Sequence, residues 1–272
     1  MLVLVLTWNN RAVSEACLES VLRLDYPRFD VLVVDNASTD DTVAALQARF
    51  GSRLEFLRNE RNLLFAGGMN AGLRRALERG YDYALLMNND VVVDPGLLGE
   101  LVAAAATDPR IAAVGPKIYF FDRPDVLWFA GGELSLWRGW SRHRGLREVD
   151  RGQHDRRRDV DYLTGCAFLV RRQALEDVGL LDTGFAMYAE DADWCFRARG
   201  RGWRLLYAPA ARLWHRVSAS AGARSSFKVR RRLHSQMRFL CRHARWYHWF
   251  AIPWGTLAEF ARVAWLVLLR RI

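Results

Sequence analysis

An α/β protein built on a mainly parallel sheet is predicted by three features of the sequence. Apolar runs of strand length alternate with helical apolar spacing through the first half of the chain. The runs are continuous, as in strands buried on both faces, and each ends abruptly in a polar turn. The chain of 272 residues, 51% hydrophobic and 26% charged, is globular and long enough for one large α/β domain with a modest appendage.

Residues 2–6 (LVLVL) form the first strand, and a helical pattern follows over residues 13–22 until Tyr26-Pro27 breaks it. Residues 31–34 are a second buried strand. It ends in the polar cluster from Asp35 to Asp40, where Thr39 or Asp40 can cap a helix running through Phe50. Residues 54–57 make a short third strand. Gly67-Gly68 opens a helix with Leu73, Ala76 and Leu77 on one face. Residues 83–87 are the fourth strand, ending in Asn88-Asn89-Asp90, and Asp94-Pro95 starts a helix to about Ala106. The second half is less regular: a hairpin over 126–140, a charged loop over 142–159, a strand over 162–170, a helix over 190–200 and a strand over 203–207. From Phe227 the pattern becomes a basic helix followed by an aromatic, apolar tail. Strands alternating with helices imply a doubly wound, Rossmann-like sheet flanked by helices.

The formal charge of +10 is almost entirely arginine, since Lys117 and Lys228 are the only lysines. A GC-rich genome explains such a bias as well as function does, so its placement is more telling. Residues 1–100 are close to balanced, whereas 142–158 and 224–245 are dense in Arg and His, which points to an anionic partner. The four cysteines (Cys17, Cys166, Cys195, Cys241) have no metal-type spacing and read as small buried hydrophobes of a reducing compartment. The apolar start lacks a basic leader and runs into Thr7-Trp8-Asn9, so it reads as a strand and not a signal peptide. The active site is accordingly expected on the cytoplasmic side.

Polar turns at the carboxyl ends of parallel strands lie along one edge of the sheet, where such folds bind ligands. Thr7, Asn9, Asp35, Asn36, Ser38, Asn88, Asn89 and Asp90 all fall there. Each alone is an ordinary turn residue. Three such clusters after three buried strands mark a site. No glycine-rich phosphate loop follows the first strand, which argues against a dinucleotide-binding dehydrogenase and a P-loop enzyme. A divalent cation, Mg²⁺ or Mn²⁺, held by hard oxygen ligands is the natural substitute. Asp90 is the carboxylate of its cluster, and His215 is a candidate further ligand, although a histidine beside Trp214 is also a common packing residue.

The motifs, taken together in this order, resemble those of glycosyltransferase family 2, with its GT-A fold, and within it the rhamnosyltransferase and galactofuranosyltransferase-like branch. They are Thr7-Trp-Asn9, Asp35 to Asp40 (DNASTD), Asn62 to Asn70 (NLLFAGGMN), Asn88-Asn-Asp90 in place of Asp-x-Asp, Thr164 to Phe168 (TGCAF), Glu190 to Trp194 (EDADW) and Trp214-His215. The resemblance covers residues 2–216. It implies that Asp35 contacts the nucleobase of a UDP- or dTDP-sugar, with Asn36, Ser38 and Asp40 shaping that pocket. Asn62, Gly67 and Asn70 would line the donor pocket. Asp90 and His215 would hold the metal on the diphosphate, with Asn88 nearby. Asp191 would be the general base, with Gly165, Cys166, Glu190 and Trp194 on the acceptor side. Asn88 departs from the pattern and removes one negative charge from the metal site.

These readings predict a GT-A-like domain over residues 1–216 and a basic, aromatic amphipathic tail over 217–272. The tail is expected to lie in the interface of the inner face of the cell membrane, because Pro253, Glu259 and Arg262 interrupt any spanning helix. Packing of the tail on the domain, or a dimer interface, is the competing expectation. No nucleic-acid module surrounds the basic stretch. The expected activity is inverting, metal-dependent transfer of rhamnose or another hexose or deoxysugar to a lipid-linked or polysaccharide acceptor in cell-envelope glycan synthesis. A transferase acting on a soluble acceptor and a non-catalytic nucleotide-sugar binder are the alternatives, the latter suggested only by Asn88.

Overall fold

The computed structural model describes residues 1–185, 187–217, 226–255 and 257–258. Its first half follows the apolar runs: β1 (Leu2–Thr7), α1 (Arg11–Val21), β2 (Asp30–Asp35), α2 (Thr42–Phe50), β3 (Glu55–Arg58), α3 (Leu64–Glu78) and β4 (Tyr83–Asn88). These four strands pair in parallel in the order β3-β2-β1-β4. Leu2, Val3, Leu4 and Val5 of β1 are fully buried because helices cover both faces of the sheet, which is why the run is continuous.

The second half widens the sheet with β5 (Val91–Val93), β6 (Ile111–Phe120), β7 (Arg123–Phe129), β10 (Arg158–Asp159), β11 (Ala167–Arg171) and β12 (Arg204–His215). Helices α4 (Leu97–Ala105), α5 (Arg172–Val178), α6 (Glu190–Gly200) and α7 (Ser226–His243) intervene, and β8 (Gly132–Ser135) and β9 (Trp140–His143) form a separate hairpin. The full order is β10-β12-β6-β11-β4-β1-β2-β3. Here β11 runs antiparallel to both β4 and β6, while β12 and β6 are parallel. The parallel half thus carries an antiparallel extension.

Several boundaries move for local physical reasons. Helix α1 starts at Arg11, entered through left-handed Asn9 and Asn10. Helix α2 starts at Thr42, whose N–H is satisfied by Asp40 Oδ1 at 3.1 Å. Helix α3 starts at Leu64, not at Gly67-Gly68, so those glycines sit inside it. A Cβ on Gly68 would lie 2.5 Å from Leu6 Cδ1, and one on Gly72 2.9 Å from Leu4 Cδ2. The glycines permit helix-to-sheet contact; they do not start the helix. Helix α4 starts at Leu97 because Asp94 Oδ1 and O hold Gly96 N and Leu97 N in a preceding turn. The sequence reading passed over β6, a ten-residue strand. The expected hairpin over 126–140 divides between β7 and the β8–β9 pair. Strand β11 begins at Ala167, after a turn at Thr164 to Cys166, and β12 extends to His215.

The charged segment 142–159 is tied down, since Lys117 Nζ, fully buried on β6, donates to Asp150 Oδ2 at 2.7 Å and also pairs with Asp155. Helix α7 packs on α6, with Phe239 stacked edge-on against Phe196 and both Phe239 and Leu240 buried. The tail from residue 259 onward, including Glu259 and Arg262, lies outside the described residues. Among those described, no helix is long and apolar enough to cross a membrane.

Candidate active site

Register brings the polar strand ends together. Thr7 pairs with Asp35, Asp35 with Arg58, and Leu6 with Asn88, so β1, β2, β3 and β4 end on one line. Asp35 is fully buried, accepts Ser38 N–H at 3.0 Å and faces Arg58 Nε at 3.3 Å. Ser38 Oγ accepts Asn9 N–H at 2.7 Å, Asn9 Oδ1 accepts Thr39 N–H at 2.8 Å, and Asp40 Oδ2 accepts Asn10 N–H at 3.1 Å. The first two turns therefore interlock, and the contacts of Asp40 hold its carboxyl below the usual range despite some desolvation.

Asn36 and Asn62 form a hub. Asn36 Nδ2 donates to Asn62 Oδ1 (3.1 Å) and Leu64 O (3.0 Å), while its Oδ1 accepts from Asn59 Nδ2 and Leu63 N. This fixes the entry to α3. Gly67 lies in the first turn of α3 against Leu63. Asn70 is directed elsewhere, since it exchanges two hydrogen bonds with the backbone of Leu181. Asn89 donates to Thr7 Oγ1 (3.1 Å) and Ser14 Oγ (2.8 Å), closing a triangle with the Thr7–Ser14 contact of 2.9 Å.

The third turn carries the candidate cation ligands. Strands β5 and β12 pair so that Val91 faces His215, which brings Asp90 Oδ1 to 3.2 Å from His215 Nε2. The contact lacks hydrogen-bond alignment, so the oxygen is buried and unsatisfied. Adjacent ligands on a small divalent cation with bonds of about 2.1 Å lie about 3 Å apart. The pair therefore fits two neighbouring positions on such an ion. Among the described residues no group of three His, Cys, Asp or Glu side chains converges on one point, so the pair supplies two ligands and does not by itself complete a cation site. His215 also packs edge-on against Trp128 (4.5 Å), which meets His143 in the same way. Burial pushes His143 down to about 4, so it is neutral near pH 7.

Asp191 stands at the start of α6. Its Oδ2 accepts Gly165 N–H and its Oδ1 accepts Ala192 N–H, both at 2.7 Å. Burial nevertheless raises its carboxyl above the usual range. Neighbouring Glu190 is raised by burial and by the Asp191 charge, and its Oε2 is buried without a partner. Asp193 points the other way. Its oxygens meet Arg197 Nε at 2.8 Å and His243 Nε2 at 2.7 Å, and these contacts outweigh burial and lower its carboxyl. Trp194 is not brought to the cleft, because it is 1% exposed, packs on Phe168 and donates to Gly179 O. Cys166 is buried, its thiol pushed up by desolvation, and its carbonyl accepts Asn88 N–H at 3.0 Å.

Strain is concentrated here. Of the seven described non-glycine residues with positive φ, six surround the site: Asn9, Asn10, Ala37, Leu64, Tyr188 and Ala189. Sequence reasoning missed Ser14, Arg58 and the Trp128–His143 wall. Arg58 was accessible by the same strand-end rule that marked Asp35. The aromatic wall was not, because residues 128, 143 and 215 become neighbours only through the second half of the sheet.

Comparison with known proteins bears on the family and the fold. The model of the family described as glycosyltransferase like family 2 matches residues 1–238. The N-acetylglucosaminyl-diphospho-decaprenol L-rhamnosyltransferase of Mycobacterium tuberculosis is 28% identical over 265 residues, covering 90% of this chain and 85% of that enzyme. By contrast, the chain spans only 28% of a longer uncharacterized protein of Sinorhizobium fredii that is 30% identical over 92% of this chain. Two solved structures share the fold. GalNAc-T7 with UDP, GalNAc and Mn²⁺ has a TM-score of 0.68 at 16% identity, over 88% of this chain and 47% of that one. The mannosyltransferase of Pyrobaculum calidifontis with GDP-Man and Mn²⁺ has 0.63 at 20% identity, over 97% and 74%. The chain belongs to glycosyltransferase family 2 and is an enzyme of that family with a GT-A-like fold.

Proposed function

We propose that the protein is an inverting, cation-dependent transferase that moves rhamnose or a related hexose or deoxysugar from a dTDP- or UDP-linked donor. Its acceptor would be lipid-linked or a polysaccharide under assembly for the cell envelope, met at the cytoplasmic face of the membrane. The observation that carries this reading is the turn from Thr164 to Cys166. Its Gly165 N–H holds the candidate base Asp191, and its Cys166 carbonyl holds the strand end that leads into Asp90. One turn thus joins the proton acceptor to the cation side.

In this reading Asp35 and Arg58 bind the donor base and ribose end, and Asn9, Ser38 and Asp40 keep that wall rigid. Asp90 and His215 would hold Mg²⁺ or Mn²⁺, which when bound neutralises charge developing on the leaving diphosphate. Asp191 accepts the proton of the attacking hydroxyl as the new bond forms opposite the leaving group, which inverts the anomeric centre. The rhamnosyltransferase relative, whose name gives a lipid diphosphate acceptor, supports the choice of sugar and acceptor class. The Mn²⁺ in both structural neighbours supports the cation.

The test is donor turnover with and without chelator. Activity should vanish in excess chelator and return with Mg²⁺ or Mn²⁺, and Asp90→Ala should lower it more than Asn88→Ala. Full activity in chelator would overturn the cation assignment.

A further inference from the structure

We infer that the tip of the β8–β9 hairpin and the C-terminal helical segment form one docking face for an anionic lipid bilayer. The inference rests on the membrane placement within the proposed function and names the surface responsible for it. Residues 248–255 are helical and continue α7 after a short turn. His248, Ile252 and Gly255, spaced as one helical edge, face the hairpin. His248 and Ile252 are buried, His248 meets the Trp137 ring at 4.7 Å, and a Cβ on Gly255 would lie 2.5 Å from Arg138 Cα. Trp137 also stacks near Tyr247, and Gln236 Nε2 donates to Gly139 O at 2.6 Å. Hairpin and tail are therefore one packed unit, although about a hundred residues separate them in sequence.

Among the described residues, none covers the opposite edge. Trp246, Phe250, Trp254 and Leu257 form a single stripe at helical spacing, 74%, 73%, 72% and 61% exposed, with Trp249 beside it and Trp137 of the hairpin 56% exposed. Isolated exposed apolar residues are ordinary, but a continuous row of aromatics is an interaction surface. Charge selects the occupant. Residues 226–258 contain seven Lys or Arg and no Asp or Glu. Arg238 and Arg242 pair with Asp182, and the excess of positive charge that remains repels a basic partner and attracts phosphate headgroups. Exposed Arg138 and Arg245 stand at its margin. Aromatic rings backed by arginines are the chemistry of the bilayer interface, where the rings sit at headgroup depth.

The hairpin also sets the geometry. At its base, Gly132 pairs with His143, which packs with Trp128 against His215. At its tip are Trp137 and Arg138. Strands of four residues span about 13 Å. A bilayer on this face would lie one short hairpin from the cation side of the site, within reach of a sugar on a lipid diphosphate.

The experiment is sedimentation of the full chain with vesicles of phosphatidylglycerol and phosphatidylcholine, against vesicles of phosphatidylcholine alone. The parent should pellet with the anionic vesicles and less so in salt. Trp137→Ala, Phe250→Ala and Trp254→Ala should each weaken binding on the order of tenfold, the usual worth of a large apolar side chain. Donor-induced thermal stabilisation should stay intact, because none of these residues lies at the donor site. Trp137→Ala pelleting like the parent would remove the hairpin and overturn the composite face. A parent that ignores vesicles but forms a dimer lost in Phe250→Ala would overturn it in favour of a contact between copies. Neither readout uses sugar transfer, so failure of the transferase reading shows separately, as absent donor turnover in a chain that still pellets.

Discussion

At Asp191 two backbone N–H groups favour the carboxylate while burial opposes it, and the net direction is upward. A base with a raised pKa loses its ionised form as pH falls through that value, so the acid limb of kcat/KM should lie above the usual carboxylate range. Asp191→Asn keeps the shape and can accept only one of the two backbone N–H bonds through its amide oxygen, and it cannot accept the proton. It should cut turnover by about 10²–10⁴-fold with donor affinity little changed; near-normal turnover would reject the role. Glu190 is different. Its carboxyl binds a proton more tightly folded than unfolded, so it adds stability at low pH and loses that contribution as pH rises through its folded value. Glu190→Gln removes the buried charge and should raise Tm by about 2–4 °C, with the gain present at high pH and absent at low pH. A Tm difference independent of pH would mean that the carboxyl is ionised freely in the folded chain.

At the scale of elements, α7 is a clamp on the segment that presents Asp191. Ser235 Oγ donates to Met187 O at 2.7 Å, Arg238 meets Asp182 at 3.1 Å, and His243 reaches buried Asp193 on α6. Immediately after the Met187 contact, Tyr188 and Ala189 both adopt left-handed backbone, at φ 70° and 69°. Such conformations persist only where the surroundings over-determine them. Ser235→Ala and His243→Ala should therefore lower turnover several-fold with donor KM unchanged, and the double variant should lower it further. A change confined to donor KM would place the clamp on the donor side instead. The sequence shows α7 as a basic amphipathic helix, but its inner partners cannot be read there. Asp193 and His243 are fifty residues apart, and both look like surface residues until the helices pack.

Across the whole molecule the parallel half was the legible part. Its strands are buried on both faces, so each is a continuous apolar run, and its polar ends fall on one edge by topology alone. Asp35, Thr7 and Asn88 could be grouped for that reason. Strand β6 escaped because Gly115, Pro116 and Lys117 interrupt its run, and only the structure shows Lys117 neutralised by Asp150 and Asp155. The start of α3 escaped because its glycines serve close packing and not chain reversal. Asp90 and His215 could each be singled out as candidate ligands, but their meeting could not be read, since they belong to different halves and come together only when β12 lies against β5. That meeting has a thermodynamic consequence. If the donor diphosphate and the cation share Asp90 and His215, each should bind more tightly in the presence of the other, and the coupling must be reciprocal. Thermal shifts with a dTDP- or UDP-sugar plus Mn²⁺ should then exceed the sum of the separate shifts, because the stabilisation follows the tighter combined binding. In Asp90→Ala the excess should disappear while the shift from nucleotide alone remains, because Asp35 and its turn are untouched. Additive shifts in the parent chain would show that the two halves of the sheet do not share a ligand at this point.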